Sequence, residues 1–228
     1  MSRIILPLDN LSWSQVRDII AKTAGLVWGY KIRRTILEKG VSIIGVIKKY
    51  GNVMVDFKLF DIPSAMAEAA ALFSDEGADI ITVHCTPQWT PPASAYPPNL
   101  RKIAGVTILT SMSQSQFTQY YRAFRTYGPG NEIKSMVQVM AEGAESNGYG
   151  YVVCSPQEVS ILGGVSCQKI CPGIRPDWYS ASDDQERIAT PKRAIENGAD
   201  LLVIGRPILE ADDMIEAIQK TNEEIDSS

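Results

Sequence analysis

Short apolar runs of strand length recur along the chain at 4–8, 26–32, 53–57, 79–85, 105–109, 150–154, 168–171 and 201–204, which predicts eight buried strands. Between them the apolar positions change to helical spacing over 13–23, 35–50, 64–76, 132–146, 191–197 and 211–220, several opened by Ser, Thr or Pro and closed by Gly. Strands alternating with helices make βα units, and eight such units can close into a barrel that leaves no sheet edge exposed. The expected fold is therefore α/β, a single (β/α)8 TIM barrel, with residues 1–228 forming one domain. Glu76-Gly77-Ala78-Asp79 and Asn197-Gly198-Ala199-Asp200 look alike, each closing a helix and opening a strand, and read as one recurring turn. Two stretches, 86–98 and 172–185, are too rich in Pro, Gly and polar residues for regular structure, and the second has the composition of a lid.

In such a barrel the chemistry sits beyond the C-terminal ends of the strands. The unusual polar residues fall there: Asp9, Lys31, Asp56, Lys58, Asp61, His84, Thr110, Arg175, Gly205 and Arg206. Asp56 and Lys58 are two apart and so share one face of a strand tip, with Phe57 on the other. Burying acids and lysines together is costly unless each charge is matched, so the group is either a structural ion-pair network or a working site. Asp9 and Lys31 extend it, giving an alternation in which each lysine has a carboxylate beside it and stays cationic. His84 is the only histidine; at the end of an apolar run it reads as a near-core imidazole rather than a catalytic one. Ser111 and Ser113 could bond a ligand or cap a turn.

Hydrophobic residues make up 45% and charged residues 21%, an ordinary globular balance that can build a core. The net charge of -4 gives no general attraction for nucleic acid or an anionic membrane, so an anionic ligand needs a local site. The first apolar run is broken by Pro7 and ended by Asp9, too short for a signal peptide or a membrane span, and the cytoplasm is the expected location. Cys85, Cys154, Cys167 and Cys171 include no C-x-x-C pair and read as buried free thiols.

Six segments occur in order over nearly the whole chain: Leu8-Asp9; Asp56-Phe-Lys58-Leu-Phe-Asp61-Ile-Pro63; Leu109-Thr-Ser-Met112; Val153-Cys-Ser-Pro-Gln-Glu158; Pro172-Gly-Ile-Arg175; and Val203-Ile-Gly-Arg-Pro207. The ordered set resembles the orotidine 5′-monophosphate (OMP) decarboxylases of the bacterial and archaeal type. That resemblance implies decarboxylation of OMP to UMP in pyrimidine biosynthesis with neither metal nor other cofactor. It implies Lys58 as proton donor, Asp56 facing the substrate carboxylate, and Lys31 and Asp9 at the ribose hydroxyls. Asp61 would cross a homodimer interface into the neighbouring site. Gly205 and Arg206 would hold phosphate, Arg175 and Gln185 would close over phosphate and base, and Thr110 would meet the pyrimidine or ribose.

The chain also departs from that pattern. Ser64-Ala65 stands where the family has Asn-Thr, which removes one ligand hydrogen bond worth about 0.5–1.5 kcal/mol. Arg33, Arg34 and the His84-Cys85-Thr86-Pro87 turn are also atypical. Two alternatives stay open: a metal-dependent sugar-phosphate decarboxylase or synthase that shares the Asp-x-Lys-x-x-Asp cluster, and a catalytically silent barrel that binds a nucleotide.

Overall fold

The computed structural model describes residues 2–86, 102–121, 133–180 and 187–227. The first half runs β1 (Ile4–Pro7), α1 (Trp13–Thr23), β2 (Gly29–Ile32), α2 (Arg34–Lys39), α3 (Ile43–Lys48), β3 (Asn52–Leu59), α4 (Pro63–Asp75) and β4 (Ile80–His84). The second runs β5 (Ile103–Val106), α5 (Gln114–Tyr121), α6 (Ile133–Ser146), β6 (Tyr151–Val153), a 3-10 turn (Val159–Leu162), β7 (Gln168–Cys171), α7 (Pro191–Glu196), β8 (Leu201–Val203), α8 (Arg206–Leu209) and α9 (Met214–Asp226). The eight strands pair in chain order and in parallel, and β8 returns to β1, closing the expected (β/α)8 barrel.

Closure explains why the strands read as apolar runs, since both of their faces are buried. Inside the barrel Ile5, Met54, Ile80, Ala104, Ile170, Leu201 and Val203 form a packed inner cluster. The opposite strand faces, with Ile4, Leu6, Val53, Val55 and Ile81 among them, pack against the helices in a larger outer core. The inner cluster plugs the barrel and leaves its C-terminal mouth as the place for polar groups.

The recurring turn is built as its sequence implies. Gly77 and Gly198 take φ of +100° and +102°, a conformation that strains any residue with a Cβ. The aspartate two residues on accepts a backbone N–H from the preceding parallel strand: Asp79 Oδ2 from Val53 at 2.8 Å and Asp200 Oδ2 from Lys169 at 2.7 Å. Each acid thus pins the start of a new strand in register with its neighbour.

Three expectations are corrected. The helix expected over 35–50 is two helices, α2 and α3, because Gly40 at φ +81° ends the first. The strand expected over 26–32 starts only at Gly29, with Trp28 packing against the inner cluster. Helices α5 and α8 were not anticipated, the first because it is largely polar and the second because it is a single turn. All four cysteines are free and buried, as expected. No helix among the described residues is long and apolar enough to cross a membrane. Gln185 and the proline-rich stretch after Thr86 lie outside the described residues.

Candidate active site

Strand β3 carries the centre of the site, and its backbone departs from a regular pleat there. Val55 pairs with Ile81 and Leu59 with Val83, so β3 bulges between those pairs. Lys58 sits in the bulge with φ of +50°, unfavourable for a residue with a Cβ. Its N–H donates to the Thr82 hydroxyl at 2.8 Å, and that hydroxyl lies 3.0 Å from Asp56 Oδ1. Phe57 faces the other way and stacks on Phe73 of α4, with ring centroids 5.5 Å apart.

The charged side chains form a continuous line. Lys58 Nζ donates to both Asp56 oxygens, at 2.8 and 2.9 Å. Lys31 Nζ, from β2, lies 3.0 Å from Asp56 Oδ2 and pairs with Asp9 Oδ2 beyond β1. Asp56 is 8% exposed. Burial would raise its pKa, but Lys31 and Lys58 outweigh that and hold the carboxyl down at about 2. Burial would likewise lower Lys31, and the Asp56 and Asp9 carboxylates outweigh it, leaving the ammonium above the ordinary lysine value. At neutral pH Asp56 is thus a carboxylate and Lys31 an ammonium. Asp9 Oδ1 is buried and has no hydrogen-bond partner among the described residues.

Two adjoining cavities open beside this line and share Pro172 and Val203 in their walls. The first, about 300 Å³, is bounded by Lys31, Asp56, Lys58, Thr110 and Ser111 over the apolar Met54, Val106 and Val153. The second, about 250 Å³, is bounded by Asp9, Asn10, Arg175, Gly205 and Arg206. A Cβ at Gly205 would come within 3.0 Å of Pro7 Cγ, which accounts for a glycine at the root of α8. Arg175 lies over the Tyr179 ring at 5.9 Å and donates to its neighbour's carbonyl, Ile174 O, at 2.8 Å. One cavity is lined by acid and ammonium residues over an apolar floor, the other by two arginines together with Asp9 and Asn10.

Asp61 stands apart from this line within the chain: it is exposed and accepts the Ile62 N–H at 2.7 Å. Flanking it, Phe60 and Ile62 are each 61% exposed. His84 is half-buried, meets Phe60 edge-on at 5.9 Å, and has its pKa lowered by burial and by nearby Lys58. Ser113 caps α5, accepting from Gln116 N–H at 3.2 Å, so of the two serines only Ser111 borders the cavity. Among the described residues no group of three or more His, Cys, Asp or Glu is arranged to hold a metal ion.

The model of the orotidine 5′-phosphate decarboxylase / HUMPS family matches residues 2–221. The chain belongs to that family. The orotidine 5′-phosphate decarboxylase of Caulobacter sp. (strain K31) is 35% identical over 224 residues, covering 96% of this chain and 94% of the relative. That of Rhodopseudomonas palustris (strain BisA53) is 36% identical over 218 residues, covering 92% and 89%. A crystal structure of the Lactobacillus acidophilus orotidine 5′-phosphate decarboxylase superposes with a TM-score of 0.76 at 24% identity, covering 99% of both chains, a likeness of fold.

Sequence reasoning missed two sets of residues in this decarboxylase-family barrel. Thr82 is fully buried and links the Lys58 backbone to Asp56, but in the run Ile80-Ile-Thr-Val-His84 it reads as a β-branched strand filler. Its polarity inside an otherwise apolar run was the available signal. The buried ion pair of Arg187 Nη1 with Glu158 Oε1, at 2.6 Å, joins segments far apart in sequence, and only Glu158 fell in a noted motif.

Proposed function

We propose that the chain decarboxylates orotidine 5′-monophosphate to UMP, with Lys58 protonating the carbon that loses CO2. The pyrimidine would occupy the cavity beside Asp56 and Lys58, with Thr110 at its rim, and the phosphate the cavity beside Gly205, Arg206 and Arg175. The bond from C6 to the carboxylate breaks, its electron pair stays on C6, and CO2 leaves. The Lys58 ammonium stabilises that carbanion and delivers its proton to C6, and the resulting amine recovers a proton from solvent. Asp56 would face the substrate carboxylate and, with Lys31, hold Lys58 in place. A charge array fixed before reaction stabilises developing charge without reorganising, which is why a partly buried ion line suits this step.

The single observation that carries the reading is the unbroken Asp9, Lys31, Asp56, Lys58 line, whose last three members border one cavity and whose first borders the adjoining cavity that Arg175 and Arg206 line. The unpartnered Asp9 Oδ1 supports a ribose hydroxyl as its donor, and Lys31 would meet the same sugar. Gln185 would join Arg175 over phosphate and base. We further infer a cytoplasmic homodimer in which Asp61 reaches the neighbouring site, supported by its exposure between exposed Phe60 and Ile62 and, for location, by four free thiols. The net charge of -4 supports a small-molecule substrate over nucleic acid. The sugar-phosphate alternative is not favoured, since the curated relatives are named orotidine 5′-phosphate decarboxylases.

Following the ultraviolet absorbance of OMP with purified protein, before and after exhaustive chelation, tests this. Turnover that survives chelation is expected. Strict dependence on added magnesium, or nucleotide binding without turnover, would contradict the proposal.

A further inference from the structure

Arg187 belongs to neither cavity bordered by the charged line, yet it is 7% exposed and makes three strong contacts. Its Nη1 pairs with Glu158 at 2.6 Å. Its Nη2 donates to the carbonyls of Ile108, at 3.2 Å, and Leu109, at 2.6 Å. Leu109 O also accepts the Met112 N–H at 2.9 Å, so the same oxygen closes the turn that contains Thr110 and Ser111. Glu158 is itself fixed by the Ser155 N–H, at 3.2 Å, just beyond β6. The Arg187 backbone lies two residues before Ala189, whose N–H and C=O bond Gly173 and Arg175. The guanidinium therefore ties the wall of the first cavity to the end of β6, while the backbone that carries it runs on to Ala189 beside Arg175. A fork of planar donors suits this task, because it can hold a carboxylate and two carbonyls at once, which an ammonium on a flexible stem cannot do with the same geometry.

We propose that Arg187 is a positioning residue for substrate binding: through the Ile108 and Leu109 carbonyls it sets Thr110 and Ser111 against the pyrimidine. It rests on the decarboxylase reading above, since only a ligand in the first cavity gives that wall a task. Lys58 and Asp56 are anchored from β3 and β4 instead, so proton delivery is left largely intact when Arg187 changes. The defect falls on KM.

The test is Arg187→Lys, which keeps a cation for Glu158 but loses the fork, assayed with OMP beside the parent and checked by thermal unfolding. KM should rise about 10-fold with kcat changed less than about 3-fold, the signature of a misplaced binding wall. In Arg187→Ala, added guanidinium should restore much of the lost kcat/KM, because it can refill the vacated cavity. KM unchanged in a folded Arg187→Lys, or a fall confined to kcat, would overturn the proposal. So would Arg187→Ala that folds and is indifferent to guanidinium. A parent protein that does not turn over OMP would instead remove the decarboxylase reading itself, and the two failures are told apart by that control.

Discussion

Asp56 and Lys31 show how far single residues can be reasoned from their surroundings. Asp56 falls from the ordinary 3.8 to about 2, so its contribution to stability is present above pH 3.8 and is lost as pH falls through about 2. The shift corresponds to about 2 kcal/mol for a buried group. Lys31 is raised above 10.5, so its contribution is whole below that value and is lost only as pH rises beyond it. Denaturant midpoints measured across pH should hold level between these limits for this pair, and Asp56→Asn should flatten the acid limb. Thr82→Val removes the hydroxyl that accepts the Lys58 N–H and lies beside Asp56, leaving a partly buried donor unmet. It should cost about 1–3 kcal/mol and lower kcat, measured by urea unfolding and OMP turnover. The four charged residues could be read from sequence because charge at the end of an apolar run needs an explanation. Thr82 and Arg187 could not, since a threonine suits any strand and an arginine in a loop gives no hint of its distant partners.

Among the elements, strand closure is the strictest constraint. Gly29 of β2 pairs with Ile5 and Asn52, and a Cβ there would lie 2.2 Å from the Asn52 carbonyl oxygen. Gly29→Ala must therefore push β2 away from β3 and should cost about 3 kcal/mol or more. Gly40→Ala meets nothing within 4 Å and costs only the strain of φ +81° with ψ 172°, a conformation essentially confined to glycine, about 2 kcal/mol. Urea midpoints of the two variants should differ accordingly; equal costs would mean that the barrel adjusts its spacing freely. The recurring Gly-Ala-Asp turn was readable in advance because glycine and aspartate each perform one fixed local task. The β3 bulge was not, because pleat alternation in the sequence carries no mark of a register change decided by the partner strand. Alternation put Asp56 and Lys58 on one face, and they do meet, but across a bulge held by Thr82.

For the whole molecule, the count and order of apolar runs sufficed to foresee the barrel, since eight βα units have few other ways to bury both faces of every strand. Assembly was not legible in the same way: Asp61 lies outside the line within one chain, and the part proposed for it requires a second copy. Sedimentation at micromolar concentration should give twice the 25.0 kDa chain mass. Lys58→Ala and Asp61→Ala should each be inactive alone, and mixing them should restore partial turnover, because one site of each mixed dimer regains both residues. A monomer with full activity would remove Asp61 from the account. The claim on which the rest stands is that the partly buried acid and lysine line delivers a proton from Lys58 to the decarboxylated pyrimidine. OMP turnover by folded Lys58→Ala tests it most directly. A fall in kcat of at least about 10³-fold is expected, since both charge stabilisation and proton transfer are lost; turnover equal to that of the parent would contradict the account.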